Sequence, residues 1–125
     1  MREILFRGKR IDNGEWVYGD YWHLPEKNFY CISDKEFNRK VTPETVGQYT
    51  GLTDKNGKKI FEGDIVVVPL SGKPAKGIVE YFKTDICGFT VITQPQYSNY
   101  VLQKNYAYEV IGNIHDNPEL LEVDK

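Results

Sequence analysis

The sequence has little of the chemistry that marks an enzyme or a metalloprotein. Among 125 residues there are two cysteines, Cys31 and Cys87, two histidines, His23 and His115, and one methionine. No two of those four Cys and His side chains stand at the close spacing of a structural zinc site, so no metal is expected. The scarcity of cysteine, and a start (Met1 to Arg7) without an apolar signal-peptide core, predict a cytoplasmic chain with no structural disulfide. Long apolar runs are missing too. The longest, Ile65 to Leu70, contains Pro69 and falls far short of the roughly 18 residues of a membrane helix. There is no G-x-G-x-x-G and no Walker-type loop; Gly72-Lys73 is followed by Pro74. There is no G-x-S-x-G, and the only serines are Ser33, Ser71 and Ser98. Neither a cofactor nor a catalytic residue is therefore expected. An excess of one charge sign is also lacking, with 16 Lys+Arg against 18 Asp+Glu. That balance excludes the dense basic stripe of a strong non-specific DNA binder.

What the chain has is aromatic rings and turn residues. Nine Tyr, six Phe and two Trp make 14% of the residues, which excludes a disordered chain. A length of 125 residues with 40% hydrophobic content fits a single soluble domain. Eleven Gly and six Pro are spread between aromatic and β-branched runs, which argues for a mainly β fold. Charge is uneven at the ends: residues 1–10 carry a net +3 and residues 116–125 a net −3. Such ends suit head-to-tail attraction between termini or subunits.

The spacing predicts a hairpin of residues 3–11 and 15–22 across Asn13-Gly14, both suited to a type I′ turn. Trp16, Tyr18, Asp20 and Trp22 then share one face of the second strand. A third strand is expected from Asn28 to Ile32, with Cys31 as a buried thiol. Thr42, Pro43 and Glu44 read as the cap and first turn of a single helical turn. Asp54-Lys55-Asn56-Gly57 reads as a tight turn rather than a calcium loop, because its glycine comes at the fourth position instead of the sixth. Residues 60–114 are expected to form a small, SH3-like or curled β-barrel, starting with one strand from Ile60 to Pro69 that Gly63 interrupts. Asn117-Pro118-Glu119 opens a short C-terminal helix. The expected organisation is one domain: hairpin and irregular segment 1–59, barrel-like core 60–114, short helix and tail 115–125.

Glu62 and Asp64 flank Gly63 on one face and have the form of paired carboxylates. Their place at a strand entry favours bonding to nearby backbone N–H groups instead. The strand aromatics are expected in the core with their hydroxyls at the surface. The loop Tyr97-Ser98-Asn99-Tyr100 suits exposure equally well.

Three separated blocks carry a resemblance. They are Arg2-Glu3-Ile4-Leu5-Phe6-Arg7-Gly8, the run Val46 to Gly57 continued by Ile60 to Val66, and the run Glu109 to Leu121. Together they resemble the YopX family of small bacteriophage and prophage proteins. Residues 71–105 carry no matching block. The resemblance implies a phage-encoded β-rich protein in a bacterial cytoplasm, with self-association, and brings no catalytic residue or cofactor with it.

The reading that follows is a non-enzymatic accessory protein that acts by binding as a homo-oligomer, with a phage or host protein as partner. The alternative is a nucleic-acid-binding module on an SH3-like barrel. Its candidate surface is Lys73, Lys76, Lys83, Tyr97 and Tyr100. The least favoured reading is a small hydrolase built on Glu62, Asp64 and a histidine.

Overall fold

The computed structural model describes residues 4–69, 74–82, 88–94, 99–102 and 107–121. These residues form eleven strands and three short 3₁₀ turns, mainly β as expected. The chain divides into two compact units, residues 1–51 and residues 52–125.

Unit 1 opens with β1 (Phe6–Lys9) and β2 (Trp16–Leu24), paired antiparallel. The hairpin forms where Asn13-Gly14 places it, but the turn is not type I′. Only Gly14 takes a positive φ, 72°. Asn13 contributes its side chain instead, its Oδ1 accepting from the Glu15 N–H at 2.9 Å. The loop is closed by Gly14 N–H to the Arg10 carbonyl (3.0 Å) and Arg10 N–H to the Glu15 carbonyl (2.9 Å). A 3₁₀ turn at Pro25–Lys27 leads through Asn28, whose φ is 52°, into β3 (Phe29–Ser33) and β4 (Asn38–Lys40). β5 (Gly47–Thr53) returns to pair with β1, giving the strand order β4-β3-β2-β1-β5.

β2 serves two partners in turn. Trp16 to Gly19 pair with β1, and Asp20 to Leu24 pair with β3. Gly19 stands at the changeover, where a Cβ would lie 2.2 Å from the Ser33 carbonyl oxygen. No side chain fits there without moving backbone. Ile32, Val41, Cys31 and Tyr49 are buried in this unit.

The expected turn after Thr42 is a 3₁₀ turn, Pro43–Thr45, but Thr42 does not cap it with its side chain. Thr45 does the work: its hydroxyl donates to the Thr42 carbonyl (2.6 Å) and accepts the Lys9 N–H (2.9 Å). The bridge between Arg10 and Val41 ties the end of β1 to the chain beyond β4.

Unit 2 holds β6 (Lys59–Phe61), which pairs with β5, and the strands β7 (Asp64–Val68), β8 (Ala75–Phe82), β9 (Gly88–Gln94), β10 (Asn99–Val101) and β11 (Glu109–Asn113). The last five form an antiparallel sheet in the order β10-β9-β8-β7-β11. The expected barrel over residues 60–114 is thus corrected to an open sheet among the described residues, and SH3-like closure is not seen. The physical reason lies at Gly63. Its φ of 93° breaks the expected single strand, and its N–H and carbonyl bond to Val79 and Ile114. The two halves, β6 and β7, therefore join different sheets. A bulge between Val110 and Gly112 shifts the register of β11 on β7. The core gathers Ile60, Val66, Val68, Val79, Val91, Leu102 and Tyr108. Ile65, Val66 and Val68 are all buried, so β7 is covered on both faces as its unbroken apolar run predicts. The expected C-terminal helix is only a 3₁₀ turn, Pro118–Leu121. Asn117 does not commit its side chain to that turn; its Oδ1 accepts the Asn113 N–H at 3.3 Å.

Asp54 holds the β5–β6 turn. Its Oδ1 accepts the N–H groups of Asn56 and Lys58, each at 2.9 Å, and its Oδ2 accepts that of Val110 at 3.0 Å. Burial pushes this carboxyl up, but the Val110, Lys58 and Asn56 N–H groups, with the Lys58 charge, reverse the effect and hold it below its ordinary 3.8. The tight-turn reading of Asp54 to Gly57 is borne out, with Gly57 N–H closing on the Asp54 carbonyl at 3.0 Å.

Two outcomes follow from these contacts. Gly19→Ala is expected to lower unfolding free energy by about 3 kcal/mol, because the clash is with backbone. A urea midpoint equal to that of the unaltered chain would contradict it. Asp54→Ala is expected to cost about 3 kcal/mol at neutral pH, with three backbone donors stranded. Because the folded carboxyl ionises below 3.8, its stabilisation is complete above that value and fades as pH falls through it. The gap between the two chains in denaturant titrations should therefore narrow from pH 7 to about pH 3.

Candidate interaction surface

Alternation along β2 sets the chemistry of unit 1. Cross-strand pairing of Arg7 with Tyr18 and Lys9 with Trp16 puts these four side chains on one face. Trp22 and Leu24 continue that face, opposite Cys31 and Phe29 on β3, and Lys40 of β4 lies opposite Cys31. The face is thus cationic and aromatic by turns. The Arg7 guanidinium lies 4.6 Å from the Trp16 ring centre and the Lys9 ammonium 5.4 Å from it. The Lys40 ammonium lies 5.3 Å from the centre of Phe29, whose ring meets Trp22 at 5.2 Å. Such contacts hold a cation at a defined place, and Arg7 among them is buried, 5% exposed. Trp22 is fixed as well, because its indole Nε1–H donates to the Ser33 hydroxyl (2.7 Å), which donates to Asn38 Oδ1 (2.6 Å).

The opposite face carries a second row, Phe6, Tyr21, His23 and Tyr30. Tyr21 stacks on His23 at 5.4 Å, and His23 on Tyr30 at 5.9 Å. Burial, then the neighbouring Tyr30, pushes the Tyr21 phenol up.

The core expectation for the aromatic ribbon is corrected at its outer positions. Tyr18 is 48% exposed and Trp22 38%, joined by Leu24, Ile4, Ile11 and Phe37. These six stand in unit 1, whereas Tyr81 is the exposed large hydrophobic of unit 2 among the described residues.

Beside this face a cleft of about 280 Å³ is lined by Arg10, Ile11, Asp12, Asn38, Arg39 and Lys40. Arg10 grips Asp12 through Nε–Oδ1 (2.9 Å) and Nη2–Oδ2 (2.6 Å), which lowers the Asp12 carboxyl. Arg39 pairs with Asp34 at 2.7 Å and lies 4.8 Å over the Phe37 ring centre. The Phe37 and Glu36 N–H groups, then Arg39, hold the Asp34 carboxyl down at about 2.

Of the surface expected from sequence, Lys73, Lys83 and Tyr97 lie outside the described residues, as does the side chain of Tyr100. Lys76 stands on β8 and donates to the Leu120 carbonyl at 3.0 Å. The sequence reading missed the unit 1 cations. No alternation in the sequence marks them; cross-strand register, which sets Lys9 opposite Trp16 and Lys40 opposite Cys31, brings them to the rings.

The other candidates resolve into backbone service. Asp64 is buried and its Oδ2 accepts the Phe61 N–H at 2.8 Å, which is the structural reading of the Glu62–Asp64 pair. Among the described residues no group of three or more His, Cys, Asp or Glu side chains has the arrangement of a metal site. Among them also, no helix is long and apolar enough to cross a membrane. Cys31 is 1% exposed, as expected of a core thiol. Burial pushes its thiol up, partly offset by Lys40.

A family model described as YopX protein matches residues 5–122. The chain belongs to the YopX family. It is similar to the crystal structure of protein EF1440 from Enterococcus faecalis, with 24% identity and a TM-score of 0.62, over 98% of this chain and 100% of that one. That likeness is one of fold. No curated protein matches the chain. In this YopX-family chain, the blocks that carried the resemblance fall on β1, on β5 to β7 with the Asp54 turn, and on β11 with its following turn.

A Cys87→Ser chain isolates the Cys31 thiol. That thiol is expected to react far more slowly with an aromatic disulfide reagent in native than in urea-unfolded protein. Equal rates would show the site to be open.

Proposed function

We propose that the protein is a non-enzymatic accessory protein of a bacteriophage or prophage that acts by binding, through unit 1, and works as a homo-oligomer. One observation carries the reading: large apolar side chains stand exposed on unit 1 together with cations held over rings, Arg39 on Phe37 and Lys40 on Phe29. Exposed apolar groups gathered in this way mark surfaces that another molecule covers. The aromatic–cation mixture has the composition of binding hot spots, where Trp, Tyr and Arg dominate. Family membership supports the phage context. Self-association belongs with the reading through the opposite net charges of residues 1–10 and 116–125, which suit head-to-tail contact between copies.

Light scattering at micromolar concentration should give a mass of more than one copy; a stable monomer overturns the oligomeric part. The binding part is tested in the phage. A Trp22→Ser, Lys40→Glu double variant should reproduce the phenotype of deleting the gene while keeping the circular dichroism of the folded chain. Full function in that variant would remove unit 1 from the binding role.

A further inference from the structure

The cleft of unit 1 is joined to the Trp22–Phe29 aromatic pair through two of its lining residues. Lys40 lines the cleft and also lies over Phe29. Asn38 lines it and anchors the Ser33–Trp22 relay. Three cations therefore border a space of about 280 Å³, and two of the residues that border it, Asn38 and Lys40, also hold the exposed indole of Trp22 and the Phe29 ring. We propose that this feature binds single-stranded nucleic acid, with backbone phosphates at Arg10, Arg39 and Lys40 and a base against Trp22 and Phe29. The inference rests on the reading of unit 1 as the binding face and names the class of partner.

Charge sets the polarity of the ligand. Arg10, Arg39 and Lys40 stand in the lining, with Asp12 and Asp34 paired to the two arginines, which leaves a net +1 centred on Lys40. The carboxylates of Asp12 and Asp34 are 64% and 41% exposed and their arginine partners 29% and 24%, so the acidic side of each pair faces solvent. A phosphate entering the cleft can take over the guanidinium forks, whose planar donors match its oxygens. The rings then select among polyanions. Trp22 and Phe29 offer nothing to an acidic peptide that its carboxylates require, whereas the flat faces of unpaired bases stack on such rings. Base faces are reachable only in a single strand. Ile11, 63% exposed at the rim, adds an apolar edge for a base or sugar.

The test uses the full chain and a fluorescently labelled oligothymidylate of about eight nucleotides, read by anisotropy. Binding is expected at about 50 mM salt, with a slope of log affinity on log salt of about −2 for three phosphates. Lys40→Gln and Arg10→Gln should each flatten that slope by about 0.7. Trp22→Leu should weaken binding about tenfold and leave the slope unchanged. Lys58→Gln, in unit 2, should do neither. Lys40 is an exposed residue of a three-residue strand, so its variant keeps the test valid even if Arg10→Gln disturbs the hairpin. No oligonucleotide binding at 50 mM salt overturns the proposal, as does binding indifferent to Lys40 and Trp22. If hexaglutamate binds with the same dependence on Lys40 and the oligonucleotide does not, the nucleic-acid class falls while the binding face stands.

Discussion

Every backbone N–H taken out of water needs an acceptor, and this chain of short strands leaves many that no neighbouring strand can serve. Polar side chains supply the missing acceptors. Asp34 holds Glu36 and Phe37, Asp54 holds Asn56, Lys58 and Val110, and Asp64 holds Phe61. Asn113 does the same for His115 and Asp116, and Thr45 for Lys9. The constraint explains why carboxylates with a catalytic or calcium-binding look are absorbed by turns. It also explains what Asp54, Gly57, Gly63 and Asn113 do in the blocks of this chain that resemble the family: they specify where the chain stops being a strand.

In unit 1 the same economy of short elements creates the surface. A strand that pairs one neighbour with its first half and another with its second must pass a point where backbone meets backbone closely. Gly19 is that point. The residues beyond it, Asp20 to Leu24, are then carried onto β3, and Ser33 is left in position to fix Trp22. The exposed indole is thus a product of the crossing rather than an accident of an apolar residue left outside.

Much of this was legible in the residues. The Asn13-Gly14 hairpin, the shared face of Trp16, Tyr18 and Trp22, the turn at Asp54 and the buried Cys31 follow from local rules. Three features did not. The split at Gly63 needed knowledge of which sheet each half would join, and that is a long-range fact. The bulge in β11 offsets side-chain parity by one, which no alternation pattern reveals in advance. The candidate surface assigned to Lys73, Lys76, Lys83, Tyr97 and Tyr100 came from the neighbourhood of residues in the chain. The clustering in unit 1 instead depends on cross-strand register, since Lys40 reaches Phe29 only because β3 and β4 form a hairpin.

The order of the strands has a kinetic meaning. Among the described residues, seven of the nine strand pairings join elements adjacent in the chain; the two that do not are β1 with β5 and β7 with β11. Local hairpins close quickly, while joining distant segments requires a large loss of chain entropy first. The slow events in folding therefore fall at two places, the arrival of β5 at β1 and of β11 at β7. The second is also where Asp54 captures Val110, so one carboxylate ties β11 to the β5–β6 turn.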